Sequence, residues 1–391
     1  MTLQQLGSQV AEQFTKTFGR QARWIAAAPG RVNVIGEHTD YNEGFVLPMA
    51  IDRYTVIAAA PTADGAKAIS LRSTTHGIPA AIDTTQPLKP APKGTWYNYP
   101  LGVIAGFLER RLNPGAFDAL IHSTVPLGGG LSSSAALEVS TATLLEAITG
   151  TSLDPVEKAL LCQKAEHQYA GMPCGIMDQF ISVMGQKDHL LLLDCRSRET
   201  ALVPMRDPSV ELLITNTNVK HELTGGEYAK RRAQCEEAAK LLGLASLREA
   251  DLSLLEHARG KMDAVVYRRA KHVITEIDRT VRAAEQVRAS NWNAVGQLMY
   301  SSHFSLRDDY EVSCPELDTV VGIAQRLGPK GGVFGCRMTG GGFGGCTVAL
   351  VQGDKVSSIS DRIASEYEKK TKIRPTLFVS RPAAGTTLLK S

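Results

Sequence analysis

No C-x-x-C pair occurs among the seven cysteines, which stand at positions 162, 174, 195, 235, 314, 336 and 346. An odd count without metal-ligand spacing argues against a disulfide framework and against a zinc site, and points to reduced thiols. Neither sign of charge is in surplus. Forty-three Lys and Arg against 40 Asp and Glu leave a net +3, too weak a field to draw the chain to nucleic acid or to an anionic membrane. The bases that do cluster, Arg231-Arg232 and Arg259 to Lys271, alternate with acids and apolar residues and read as solvated helix faces. No apolar run approaches the ~18 residues of a membrane span. Met1 to Phe18 reads as an amphipathic helix, with Leu3, Leu6, Val10, Phe14 and Phe18 on one side, and not as a signal peptide. These absences lead us to expect a cytoplasmic globular protein with neither a nucleic-acid nor a membrane partner; we also expect a monomer, although composition does not bear on that. The chain also lacks any Gly-Lys-Ser/Thr sequence, so the familiar phosphate loop G-x-x-x-x-G-K-[ST] is absent.

What it has instead is Pro126-Leu127-Gly128-Gly129-Gly130-Leu131-Ser132-Ser133-Ser134-Ala135-Ala136-Leu137. Three consecutive glycines bare one face of the backbone, so N–H groups can approach an anion closely. The run Ala135 to Ile148 carries apolar residues at three- and four-residue spacing and reads as a helix. A glycine loop feeding a helix N-terminus aims free N–H donors and the positive dipole end at the same point, which suits phosphate. Taken alone, such a loop is as readily a linker before a serine-capped helix.

At 391 residues the chain is long enough for two or three domains, and a soft boundary falls near residue 200, dividing 1–200 from 201–391. Strands are predicted at 24–28, 53–60, 119–125, 189–193, 211–216, 346–351 and 376–380. Helices are predicted at 96–111, 227–242, 262–290, 313–328 and 361–370, with a loop at 305–309. Residues 63–94 show a mixed pattern. Asp154-Pro155-Val156-Glu157 is a helix start with a capping Asp, Pro at the first position and Glu three residues after the cap. Gly340 to Gly345 matches G-x-G-x-x-G, but a strand follows where a dinucleotide site needs a helix. The dense glycine content suits a backbone that lies flat against another surface. Gly30 to Gly44 packs Arg31, Asn33, Glu37, His38, Thr39 and Asp40 between glycines. Such a polar edge suits a ligand rich in hydroxyls, because charged acceptors strengthen hydrogen bonds.

Three of these segments together resemble one family. Gly30-Arg31-Val32-Asn33-Val34-Ile35-Gly36-Glu37-His38-Thr39-Asp40-Tyr41-Asn42 resembles the galactokinase signature. Leu127 to Ala136 resembles the phosphate-binding motif of the GHMP kinase superfamily, and Met338 to Gly345 its glycine-rich third motif. Ser305 to Asp318 and Cys174 to Gln179 are also similar to galactokinases. The resemblance implies an α+β, two-domain GHMP-kinase-like fold with mixed sheets and an active site in the interdomain cleft. It implies ATP-dependent phosphorylation of D-galactose at C1, the entry step of galactose catabolism. By likeness, Asp178 is the catalytic aspartate and Arg31 its cationic neighbour. Glu37, His38, Thr39, Asp40, Gly175 and Tyr228 would contact the sugar. Gly128, Gly129, Gly130, Leu131, Ser132, Ser133, Ser134 and Trp96 would contact ATP, and Ser134 with Glu166 would hold Mg²⁺. An N-acetylgalactosamine 1-kinase and a sensor that binds galactose and ATP without turnover share these motifs and stand as alternatives. The uninterrupted Ser132-Ser133-Ser134 loop and the presence of both Arg31 and Asp178 favour an enzyme.

Overall fold

A computed structural model describes residues 1–62, 67–220 and 224–391; the first four residues of the mixed 63–94 stretch lie outside the described residues. The first half opens with α1 (Leu3–Phe18), β1 (Trp24–Asn33), β2 (Phe45–Val46), β3 (Pro48–Pro61), β4 (Ala68–Ser73) and β5 (Ala80–Asp83). It continues through α2 (Asn98–Glu109), β6 (Phe117–Ser123), α3 (Ser133–Thr149), α4 (Pro155–Ala165), α5 (Met177–Met184) and β7 (His189–Asp194). The second half holds β8 (Thr200–Pro204), β9 (Val210–Lys220), α6 (Thr224–Leu242), α7 (Leu252–His257), α8 (Ala264–Arg288), α9 (Trp292–Asp308) and α10 (Pro315–Leu327). It ends with β10 (Val333–Thr339), β11 (Gly344–Gln352), α11 (Val356–Thr371), β12 (Thr376–Ser380) and β13 (Thr387–Lys390).

The strands form a six-stranded sheet in the order β13-β1-β3-β6-β4-β5, a four-stranded sheet β10-β11-β9-β12 and a three-stranded sheet β2-β7-β8. The first sheet is mixed: β4 runs parallel to β6, whereas β1–β3, β3–β6 and β1–β13 are antiparallel. The last strand therefore returns from the second half to the edge of the first sheet. One core cluster also crosses residue 200: Val32, Leu47, Met49 and Leu131 pack with Leu212, Ile214, Val348 and Leu350. A continuous apolar interface of this kind holds the two halves in a fixed relation. No helix among the described residues is long and apolar enough to cross a membrane.

Most of the local readings hold. Asp154 caps α4, its carboxylate accepting from the N–H groups of Val156 and Glu157. A strand, β11, does follow the G-x-G-x-x-G match. The predicted loop at 305–309 is not one, because α9 runs from Trp292 to Asp308. Its helical period is masked by His303, Ser302 and Ser305, polar residues buried in the interior. Each has a partner there: the Met338 N–H for His303, Glu276 for Ser302, and His272 for Ser305.

Candidate active site

The three glycine-bearing segments converge. Arg31 leaves the end of β1 with its backbone N–H on the Leu131 carbonyl (3.0 Å) and its guanidinium on the Gly130 carbonyl (2.6 Å). The 340–345 segment lies against the 128–130 loop, backbone to backbone. A Cβ added at Gly340 would stand 2.9 Å from the Gly130 oxygen, and one at Gly345 would stand 3.0 Å from the Gly129 oxygen. The glycine density of both segments is thus the condition for their contact.

Asp178, in the first turn of α5, meets Arg31 in a two-pronged ion pair: Nε to Oδ1 at 2.8 Å and Nη2 to Oδ2 at 2.9 Å. Ser132 donates its hydroxyl to the same Oδ2. That bond explains an oddity of α3. Ser132 is its N-cap residue, yet it sits at φ 56° and makes no side-chain cap. The hydroxyl that would cap the helix is turned to Asp178, which leaves the first N–H groups of α3 open to an anion. Burial alone would lower the Arg31 pKa; Asp178 and then Glu37 outweigh it and hold the guanidinium above its ordinary value.

These groups line a cleft of about 460 Å³ together with His38, Asp40, Glu166, Gly175, Tyr228 and the 340–343 turn. Glu166 opens a π-helical turn, residues 166–170, that continues α4, and such turns recur at functional sites. Its Oε2 accepts from Gln179 Nε2 (2.7 Å), which also donates to Glu138 (3.0 Å). Burial, reinforced by Asp178, pushes the Glu166 carboxyl up to about 7, against hydrogen bonds from Cys174, Ser134 and Gln179. A buried carboxyl raised in this way, beside a serine hydroxyl, fits a hard cation. No group of three or more His, Cys, Asp or Glu forms a metal cage among the described residues. Burial also lifts Asp40 to about 7, with Asp178 and Glu37 adding to it.

Four residues expected at a ligand do not line the cleft. Glu37, only 2% exposed, accepts from Asn33 Nδ2 (3.1 Å) on one oxygen and from Thr339 Oγ1 (3.0 Å) and the Gly340 N–H (2.7 Å) on the other. It ties the first motif to the third. Thr39 turns its hydroxyl to the carbonyls of Gly36 and Phe45 and braces the turn. Gly129 faces Asn216 and Cys346. Trp96 stacks on His76, with centroids 5.5 Å apart and planes 5° apart, and donates its indole N–H to the Ile78 carbonyl. Residues that do line the cleft and were not singled out include Tyr99, Met172, Cys174, Met177 and Phe343. Tyr99 lies in the first turn of α2, and no motif in the sequence marks it.

Behind the first motif, Glu276 is fully buried. It accepts from the Gly36 N–H (3.0 Å), Ser302 Oγ (2.5 Å) and Arg279 Nε (2.7 Å). Burial opposes its charge, but Arg279, His272 and Arg337 outweigh it and hold the carboxyl down at about 2. A depressed carboxylate contributes stability that is fully present above its unfolded value of about 4.3 and is lost as pH falls toward the folded value. The contribution is on the order of 3 kcal/mol. Urea titrations between pH 5 and 2.5 are expected to show a smaller loss of stability in Glu276→Gln than in the unaltered protein. Identical pH slopes would show that the charge on Glu276 does not stabilise the fold.

The β-sheets, the glycine loop before α3 and the cleft between the halves define a GHMP small-molecule kinase. Family models match in the same order: the GHMP kinase N-terminal domain over residues 98–186 and the GHMP kinase C-terminal domain over 283–369. The galactokinase galactose-binding signature matches residues 12–61. The chain is 49% identical to galactokinase of Homo sapiens over 98% of its length and 97% of that protein. It is 48% identical to galactokinase of Bos taurus over 96% of its length and 95% of that protein. Its fold superposes on galactokinase of Lactococcus lactis, solved with galactose, at a TM-score of 0.91 and 33% identity, covering 97% and 99% of the two chains. Mevalonate kinase of Methanococcus jannaschii shares the fold at a TM-score of 0.66 and 20% identity, over 93% of this chain and 99% of its own. The chain belongs to the galactokinase family.

Proposed function

We propose that this protein transfers the γ-phosphoryl group of ATP to the C1 hydroxyl of D-galactose, giving α-D-galactose 1-phosphate and ADP. The observation that carries this reading is the Arg31–Asp178 pair, set where the 128–134 loop meets the 340–343 turn in the wall of one cleft. Phosphoryl transfer asks a protein mainly for positioning and for charge neutralisation. The loop N–H groups and the open end of α3 take the phosphates. Ser134 and Glu166 hold Mg²⁺, which neutralises phosphate charge when bound. His38, Asp40, Gly175 and Tyr228 form the sugar side, and Glu37 and Thr39 hold the turn that presents them.

Asp178 has room for one more bond. An ionised carboxylate offers about four acceptor sites, and Arg31 and Ser132 fill three. The fourth receives the C1 hydroxyl: Asp178 orients the nucleophile and takes its proton as the oxygen–phosphorus bond forms and the bond to ADP breaks, while Arg31 stabilises charge on the transferring group. We further propose a domain boundary near residue 200, a cytoplasmic location and a monomeric state.

A coupled ADP-release assay over a sugar panel tests the substrate. Galactose is expected to turn over well, and glucose and 4-deoxygalactose poorly, because a site built to bond a hydroxyl rejects analogues that lack or misplace it. Equal rates on glucose would contradict the assignment. Faster turnover of N-acetylgalactosamine than of galactose would move it to 2-substituted sugars. No ADP release with any sugar would leave a sensor.

A further inference from the structure

Glu166 lines the cleft, but the side chain that holds it does not. Gln179 is fully buried and forms no part of the cleft wall. Its Nε2 donates to Glu166 Oε2 at 2.7 Å and to Glu138 Oε2 at 3.0 Å, which commits both amide hydrogens. Turned the other way, the amide would set its oxygen against two carboxyl oxygens. Cys174 Sγ also donates to Glu166 Oε2, at 3.4 Å. The phosphoryl transfer described above assigns no task to Gln179 or Glu138.

Three elements meet at this amide. Glu138 stands on α3 four residues after Ser134, a spacing that puts the two on one face of the helix. Gln179 follows Asp178 on α5, and Glu166 opens the π-helical turn. The amide therefore ties the helix that carries Ser134 to the turn that carries Glu166. Glu138 is fully buried as well, so bulk water does not compete for the bond. Burial, with Glu166 adding to it, pushes the Glu138 carboxyl well above its ordinary range, so the amide faces one negative charge and not two. The last torsion of a glutamate has a broad well. With Oε2 pinned from the interior that torsion is set, and the place of the carboxylate relative to the Ser134 hydroxyl, which bonds it, is set with it.

We propose that Gln179, anchored by Glu138, is a positioning residue that holds Glu166 in register with Ser134 for a divalent cation. The inference rests on the assignment of Ser134 and Glu166 to Mg²⁺ above. It gives a buried amide and a buried acid, neither of which touches a substrate, a measurable effect on the cation alone. Side chains that orient a metal ligand in this way commonly change metal affinity by about 10- to 100-fold when they are removed.

The test is a Mn²⁺ titration read by EPR, with Mn²⁺ in place of Mg²⁺, on the whole protein with an equimolar non-hydrolysable ATP analogue. Gln179→Met, close in volume and without an amide, is expected to raise the Kd for Mn²⁺ about 10- to 100-fold. Glu138→Leu removes the anchor and is expected to raise it about 3- to 10-fold, the scale of one hydrogen bond. Glu138→Gln keeps an acceptor oxygen and is expected to restore most of that loss. Galactose affinity, measured without metal or nucleotide, should be nearly unchanged in all three. Glu138→Leu decides the matter where Gln179→Met does not fold. Unchanged Mn²⁺ affinity in the folded variants overturns the proposal. So does a parallel loss of Mn²⁺ and galactose affinity with a lowered Tm, which is what a merely structural role would produce. Unchanged Mn²⁺ affinity in Glu166→Gln would instead overturn the Mg²⁺ assignment beneath it.

Discussion

Asp178→Asn is expected to lower kcat by about 10²- to 10⁴-fold with little change in KM for ATP. The amide keeps one acceptor oxygen but puts an NH₂ where Arg31 or Ser132 now donates. The C1 hydroxyl then loses either its acceptor or its alignment. The substitution also leaves the 5% exposed Arg31 guanidinium without its charged partner, with one amide oxygen and the Gly130 carbonyl as acceptors. Breaking a buried ion pair costs about 3–5 kcal/mol, and the 22% exposure of the Asp178 side chain softens this toward the lower end. A drop in thermal stability should therefore accompany the loss of turnover. Affinity for a non-hydrolysable ATP analogue, measured separately, should be nearly retained because the loop N–H groups are untouched. Near-normal turnover would remove Asp178 from the reaction.

Gly175→Ala is expected to cut kcat/KM for galactose by at least about 10²-fold, the scale on which a 1 Å misplacement acts, and to spare KM for ATP. A Cβ at this position would stand 1.7 Å from Asp40 Oδ2 and 2.0 Å from its Cγ. No such approach survives, so either the carboxylate swings away or the 173–176 segment retreats. Asp40 cannot yield easily, since its other oxygen accepts from the Tyr41 N–H at 3.0 Å. Asp40→Asn serves as the comparison: it keeps the space and exchanges one carboxyl oxygen for an amide NH₂, and is expected to be the milder variant. An Ala variant with unchanged galactose kinetics would show that Asp40 does not read the sugar.

The glycine at 175 illustrates what the sequence alone carried and what it could not. The segment Cys174 to Gln179 stood out by resemblance, but nothing in its spacing tells that Gly175 makes room for an acid 135 positions earlier. The same limit applies to the glycines of 340–345. Their density suggested a flat surface against a neighbour, and only the folded chain identifies the neighbour as the 128–130 loop. The Asp154 cap, α3 and the strand after Gly345 were legible because capping and periodicity are local signals. The helix α9 was not, since its inward face is written in serine and histidine that pair with α8 and β10. Glu37 is the clearest case at the site. Its place in the motif suggested a reader of hydroxyls, whereas it lies outside the cleft lining and spends three bonds on Asn33, Thr339 and Gly340. Which acid in a polar turn faces inward is decided by tertiary contacts that one sequence does not display.

The account turns on where the phosphoryl group lands. Incubating the protein with Mg²⁺, ATP and [1-13C]galactose and following the labelled carbon by 13C NMR reads this directly. A new α-C1 resonance split by coupling to phosphorus is the predicted result. ATP consumption with an unsplit C1 signal, or no consumption of ATP at all, would contradict it.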